Sequence, residues 1–288
     1  MTTSPTRLAT AEPTTPQPTR PTWHQATLRF AHYDAADTIA TQLIQAMTEA
    51  EDDGLLTSWW FIRKAPCWRL RIQPATDVAS PAGPGAAAAV FARLDALRDD
   101  GHLAAWTETI YEPETHAFGG PAAMNLAHRL FHHDSRHVLA HLATLTSHTD
   151  LRRELSVLLC CALMRAAGQD WYEQGDIWAR VAATRPNPPA ATGAARRLES
   201  RLHRLLTTDT SPGTPLTSAA GPLASFTGWA GAFTDTGRNL YRLAHDGNLQ
   251  RGLRAVLAHH VLFHWNRLGL PYPTQALLAH TAANVILT

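Results

Sequence analysis

Apolar and polar residues alternate along the first part of the chain. In residues 23–31, Ala26, Leu28 and Phe30 alternate with polar neighbours, the period-two pattern of a strand with one buried face. Two similar runs, 58–63 and 67–73, are separated by Ala65-Pro66, which predicts a turn between two strands. A further run at 103–112 predicts a fourth strand.

Helical spacing interrupts these strands twice. Ile39, Leu43 and Met47 predict a helix that Asp34 caps and that ends at Gly54. After a Pro/Gly/Ala linker at 80–85, a second helix carries Val90, Phe91, Leu94 and Leu97. The order is β-α-β-β-α-β, as in ferredoxin-like folds. It predicts one antiparallel sheet with both helices on one face.

The rest of the chain has helical periodicity, broken by loops rich in Gly, Pro, Ser and Thr. The predicted helices are 121–147, 150–167, 170–184, 194–206, 224–245, 248–268 and 273–286. Strands followed by helices indicate the α+β class. We expect residues 1–22 to be a disordered Thr/Pro-rich arm. We expect 23–288 to be one domain, with a sheet-forming part (23–120) and a helical part (121–288).

Composition narrows the classes of function. The chain has 288 residues and a formal net charge of +1, whereas nucleic-acid-binding proteins usually carry a basic excess. No apolar run reaches the roughly 18 residues of a membrane span, and residues 1–22 lack the pattern of a secretion signal. The three cysteines form neither a disulfide framework nor a metal-binding spacing. We expect a cytoplasmic protein that binds neither nucleic acid nor membrane.

Three blocks, kept in order across residues 23–285, carry a family resemblance. They are the hairpin segments 59–63 and 68–71, the block 111–120 followed by Met124, Phe131 and Asp134-Ser135, and the stretch 264–268. Together they resemble the thiopeptide-type bacteriocin biosynthesis family, which includes the C-terminal elimination domain of lantibiotic dehydratases. The chain looks like a stand-alone member.

The resemblance implies a tailoring reaction on a ribosomally made precursor peptide held through its leader segment. The elimination domain removes glutamate from glutamylated Ser or Thr and leaves dehydroalanine or dehydrobutyrine. This function implies a separate glutamylating dehydratase partner and no cofactor, and it is compatible with a homodimer. Elimination is the function that we expect first.

The resemblance also indicates site residues. Arg69 and Arg71 are two apart on a strand, so their side chains share a face, and guanidinium groups suit carboxylate or enolate charge. His264 is the candidate for moving the proton, because imidazole titrates near neutral pH. The expected substrate contacts are Arg63, Glu112, Glu114 and Arg267.

Two alternatives remain open. Pro113 and Ala117 stand where the family block usually carries arginines, which favours a pyridine synthase that joins two dehydroalanines by a formal aza-[4+2] cycloaddition. The sheet could also accept an extended leader as an added edge strand, which would make the chain a non-catalytic leader-binding subunit.

Histidines are concentrated in the predicted helix 121–147. They are His128, His132, His133, His137 and His141. Their i, i+4 spacing is compatible with zinc, but the stretch lacks the His-Glu-x-x-His order and a third carboxylate ligand. We expect a polar helix face and no metal site.

Overall fold

A computed structural model of the chain describes residues 23–75, 85–144, 150–185 and 193–288, with side chains described from 198 onward in the last range. The predicted arm 1–22, most of the linker 80–85 and the stretch 186–189 lie outside the described residues. The N-terminal half contains β1 (His24–Arg29), a 3-10 helix (Tyr33–Ile39), α1 (Ala40–Asp52), β2 (Leu56–Lys64), β3 (Cys67–Pro74), α2 (Ala86–Asp99) and β4 (Ala105–Thr109). The helical half contains α3 (Pro121–Thr144), α4 (Arg152–Ala166), α5 (Trp171–Ala182), α6 (Gly193–Thr207), α7 (Thr227–His245), α8 (Leu253–Leu268) and α9 (Tyr272–Leu287).

The four strands form one sheet in the order β2-β3-β1-β4, with antiparallel neighbours throughout. On one face, Leu28, Phe61 and Leu70 pack with Leu43 of α1 and Val90 of α2 in the main core. The other face forms a second core with α3 and α8. The predicted α+β class and the β-α-β-β-α-β order are confirmed, as is the placement of both early helices on one face.

Three predicted boundaries were wrong. Asp34 does not cap a helix, because the chain enters α1 through a 3-10 helix and Asp34 lies in the first turn of that helix. β4 ends at Thr109, since Thr109 pairs with Gln25 close to the start of β1 and residues beyond it have no strand to follow. α8 begins at Leu253, because the preceding loop is held by a bond from the Gln250 amide to the Gly119 carbonyl (2.8 Å).

The outer edge of β2 is closed by side chains of the helical half. His132 Nδ1 lies 3.3 Å from the Trp59 amide nitrogen and 3.1 Å from the Trp59 carbonyl oxygen, and Ser135 Oγ accepts a hydrogen bond from the Phe61 amide (3.1 Å). Arg267 Nε donates to the Phe61 carbonyl (2.9 Å). An exposed edge strand is a template for unwanted pairing, so these contacts both satisfy β2 and fix α3 and α8 against the sheet.

Candidate functional site

Polar side chains lie on the sheet face that meets the helical half. Strand register places Trp60, Arg71, Gln25 and Thr109 in one row across the four strands. Arg69 lies two residues along β3 on the same face, as the period-two rule requires. The register therefore agrees with the shared face expected for Arg69 and Arg71.

A cavity of about 180 Å³ opens over this row. Its lining includes Arg69, Arg71 and Lys64 from the sheet, together with the segment that follows β4 and Phe263 of α8. Glu112 and Glu114 also line it. The structure thus brings together four of the predicted site residues, which are the two β3 arginines and these two glutamates.

Arg71 is a buried cation on the sheet side of the cavity. It is 5% exposed, and its Nε donates to Gln25 Oε1 at 2.7 Å. Its guanidinium carbon lies 4.3 Å from the ring centre of Trp60 and 5.2 Å from that of Tyr111, within the range of cation–π attraction. Burial lowers the pKa of Arg71 to about 9, which leaves it charged at neutral pH.

Neither Arg69 nor Arg71 makes an ion pair with a carboxylate of the described residues. The partners of Arg71 are instead neutral: the Gln25 amide oxygen, the Arg69 carbonyl (3.4 Å) and two aromatic faces. A buried charge is normally paired. The arrangement therefore suits an anionic group inside the cavity.

The two glutamates differ in their surroundings. Both are exposed, and Glu114 Oε2 lies 2.9 Å from His259 Nε2. The hydrogen bond from His259 holds the pKa of Glu114 below its usual value, against the opposing effect of partial burial. Glu114 is accordingly an anion at neutral pH, fixed at the cavity wall.

His264 does not line the cavity. It follows the cavity residue Phe263, but its Nδ1 lies 2.9 Å from Asp134 Oδ2 and its ring packs against Phe233 of α7. It is 2% exposed. The residue expected to move the proton is thus enclosed in the helical half.

Arg267 belongs to the same enclosed network. Its guanidinium pairs with Asp134 and faces the ring of Phe131 at 4.7 Å, and Trp229 Nε1 donates to Asp134 Oδ1 at 2.7 Å. Burial alone would raise the pKa of Asp134, but the adjacent His264 and Arg267 hold it below its usual value. This network joins α3, α7, α8 and β2.

Arg63 lies on the opposite side of the sheet from Arg69 and Arg71. It pairs with Asp37, and its Nε donates to the Arg267 carbonyl at 2.9 Å. It lines a separate groove of about 720 Å³. The structure does not bring it to the cavity.

Histidines of α3 contribute to packing. His132 contacts the β2 backbone, and His137 stacks on Trp229 with ring centres 5.6 Å apart. Within the described ranges, no three His, Cys, Asp or Glu side chains are arranged to hold a metal ion.

Two features of the cavity were not predicted from the sequence. Gln25 stands in the alternating polar positions of β1, but its contact with Arg71 depends on strand register. The Tyr111 hydroxyl lies 2.8 Å from His128 Nε2, a contact between the segment after β4 and α3. In the sequence, only the position of Tyr111 inside the family block 111–120 pointed to this residue.

Solved structures share this architecture. The tRNA-dependent lantibiotic dehydratase MibB from Microbispora sp. 107891 superposes with a TM-score of 0.70 and 19% identity, over 96% of this chain and 29% of that one. TsrL (TM-score 0.59) and the pyridine synthase TbtD from thiomuracin biosynthesis (0.58) are each 16% identical, over 92% of this chain and 97% of theirs. At these identities the likeness is one of fold. No curated protein matches the sequence.

The fold and the arginine-lined cavity define an α+β protein of the architecture found in MibB and TbtD. The model of the lantibiotic biosynthesis dehydratase C-terminal family matches residues 23–286. The chain belongs to this family. It spans 29% of the length of MibB. In the described residues, no helix has the length and apolar character of a membrane span.

Proposed function

We propose that the protein eliminates glutamate from glutamylated Ser or Thr of a precursor peptide, leaving dehydroalanine or dehydrobutyrine. The observation that carries this proposal is Arg71, a buried guanidinium at the cavity whose partners among the described residues are neutral. A leaving glutamate offers the carboxylate that this cation lacks, and a guanidinium can bind a carboxylate through two parallel hydrogen bonds.

In this proposal the cations that line the cavity have different roles. Arg71 orients the ester carboxyl group and stabilises the negative charge that develops on it as the Cβ–O bond breaks. Arg69 and Lys64 line the same cavity and add positive charge for the second carboxylate of the glutamyl group. Glu112 and Glu114 accept hydrogen bonds from amide groups of the peptide at the wall.

His264, Arg267 and Arg63 have a different role in this proposal. His264 and Arg267 are both engaged by Asp134 inside the helical half, so they hold α8 in place and thereby position Phe263 at the cavity. Arg63 acts in the same indirect way by binding the end of α8 through the Arg267 carbonyl. All three are positioning residues here.

The proposal includes partners. The substrate is a precursor peptide with a leader segment, and a glutamylating dehydratase supplies its modified form, both in the cytoplasm. MibB is described as tRNA-dependent, and this chain covers only a part of it.

Mass spectrometry tests the proposal directly. Purified protein is incubated with a glutamylated precursor peptide, and separately with an azole peptide that carries two dehydroalanines. Loss of glutamate from the first peptide is the expected result. Arg71→Ala abolishes it, whereas Arg98→Ala, at the exposed end of α2, does not. No loss of glutamate with the wild-type protein overturns the proposal.

A pyridine synthase is the second candidate. It is favoured by Pro113 and Ala117, which stand where the family block usually carries arginines. At Ala117 the backbone carbonyl accepts a hydrogen bond from Arg251 Nη1 (2.6 Å). Ring formation with release of the leader from the dehydroalanine peptide would identify this function.

A further inference from the structure

The wall of the cavity contains a tyrosine–histidine pair. Tyr111 lines the cavity, and its hydroxyl lies 2.8 Å from Nε2 of His128 on α3. The imidazole contacts two indoles, with ring centres 4.7 Å from Trp23 and 6.2 Å from Trp60. The geometry of the pair is thus fixed from several sides.

Burial keeps both groups of this pair uncharged. Burial, reinforced by the nearby Arg71, lowers the pKa of His128 to about 4. Burial raises the pKa of Tyr111 well above its ordinary value, while Arg71 acts in the opposite direction. At neutral pH both the phenol and the imidazole are therefore neutral. In the Nδ1–H tautomer of His128, the Tyr111 hydroxyl donates its proton in the hydrogen bond to Nε2.

We propose that Tyr111 receives the α-proton of the substrate and that His128 takes the hydroxyl proton of Tyr111 in the same step. This assignment rests on the proposed elimination. Tyr111 is the catalytic residue, because it lines the cavity where the substrate lies, and His128 acts through it as a positioning and relay residue.

The step balances in protons and electrons. The Cα–H bond breaks, its proton joins the Tyr111 oxygen, and the original hydroxyl proton moves to His128 Nε2. The electron pair of the Cα–H bond forms the Cα=Cβ bond, and the Cβ–O bond breaks with its pair on the departing glutamate. The products are a dehydroamino acid, a carboxylate facing Arg71 and an imidazolium on His128, and no oxidant is required.

Arg71 also acts on the Tyr111 oxygen. Its guanidinium carbon lies 5.2 Å from the Tyr111 ring centre, so it stabilises the negative charge that builds on the phenol oxygen during transfer. The same cation faces the leaving group. One buried arginine therefore acts on both ends of the elimination.

Other titratable groups nearby suit proton transfer less well. Glu114 is exposed at the wall, and its carboxylate is already hydrogen-bonded to His259. His260 and His264 are both buried and do not line the cavity. Tyr111 combines access to the cavity with a proton acceptor behind it.

His128 has a route for releasing the proton. It lines a second cavity of about 360 Å³ together with Ser58 and Asn125. Tyr111 and His128 thus connect the two cavities, so the proton leaves on a side away from the peptide. The second cavity also has room for a small molecule the size of imidazole.

The test uses the full chain and a glutamylated precursor peptide. Tyr111→Phe removes the hydroxyl and keeps the ring, and we expect kcat to fall by about 100-fold or more while the Kd of the peptide stays within about twofold. Tyr241→Phe, at an exposed position on α7, is the matched control. Circular dichroism and the melting temperature establish that both variants fold.

The test of the relay role of His128 needs a measurement that a change in packing alone would not affect. His128→Gly should lose about 10- to 100-fold in kcat, and added imidazole should restore part of it, in contrast to Tyr111→Phe. A wild-type protein that eliminates glutamate while Tyr111→Phe keeps more than half of its kcat overturns the role of Tyr111. Absence of any response to imidazole overturns the relay. A wild-type protein that does not eliminate glutamate overturns the proposed function and this assignment together.

Discussion

Arg71 lies directly opposite Gln25 in the β1–β3 register, and its Nε donates to the Gln25 amide oxygen at 2.7 Å. A neutral amide thus occupies the place beside a buried guanidinium where a carboxylate would form an ion pair. The amide orients the cation without cancelling its charge. The charge remains available to an anion that enters the cavity.

Substituting Gln25→Glu should convert this contact into an internal ion pair. We expect the KM for a glutamylated peptide to rise by about tenfold or more, since the substrate must compete with the introduced carboxylate for Arg71, while the fold is kept. Steady-state kinetics and urea denaturation measure the two effects. Thr107→Glu adds the same charge to the same sheet face, two strands from Arg69, and an equal rise in that control would argue against a specific pair with Arg71.

The Asp134 network should contribute strongly to stability. Asp134→Ala leaves Arg267 buried without its carboxylate, and we expect the free energy of unfolding to fall by about 3–5 kcal/mol. Chemical denaturation followed by tryptophan fluorescence measures it. Asp235→Ala removes an exposed ion pair with Arg238 and should cost less than about 1 kcal/mol. Similar losses in the two variants would contradict the role assigned to the network.

His260 should make the fold sensitive to acid. Burial, reinforced by His259 and Arg267, lowers the pKa of His260 to about 3 from an ordinary value of 6.5. Between these values the unfolded chain binds more protons than the folded one, so stability falls as pH falls, by up to about 1.4 kcal/mol per pH unit from this group.

The variant His260→Leu should therefore flatten the pH dependence of the free energy of unfolding below pH 6.5. Denaturation curves between about pH 7.5 and about pH 5 measure the slope. His102→Leu, at an exposed position, should leave the slope unchanged. An unaltered slope in His260→Leu would show that other groups cause the acid sensitivity.

Because α4 and α7 pack closely, two glycines of α7 should respond differently to substitution by alanine. A Cβ at Gly237 would lie 2.4 Å from the Leu163 carbonyl oxygen, whereas one at Gly231 meets nothing within 4 Å. We expect Gly237→Ala to destabilise the fold by about 1–3 kcal/mol. Gly231→Ala should stabilise it by about 0.5–1 kcal/mol, because alanine loses less backbone entropy in a helix. Melting temperatures that change in the same direction would contradict this contrast.

Much of the fold could be predicted from the sequence, because its strands and early helices have clear periods. Alternation along β1 and β3 indicated which residues share a face, and this placed Arg69 beside Arg71. The end of β4 could not be predicted in the same way. It depends on where β1 begins, and the alternation within one strand gives no information about the length of the strand that it pairs with.

Less of the site than of the fold could be predicted from the sequence. Tyr111 and His128 are 17 residues apart, and they meet because α3 returns along the sheet. His264 was expected at the site but does not reach it. Its neighbour Phe263 lines the cavity, whereas the His264 side chain, one residue further along the helix, points towards Asp134. The rotation of the helix decides which side chain faces the cavity, and α8 has buried residues on most of its sides, polar ones among them.

Lys64 is the sole lysine of the chain, and it is exposed at the lining of the arginine cavity. Apart from the α-amino group, it is the one amine that an acylating reagent can modify. Peptide mapping distinguishes these two positions. The labelling rate at Lys64 can therefore report occupancy of the cavity, so that a bound ligand is detected as protection of a single residue, without turnover and without an engineered label.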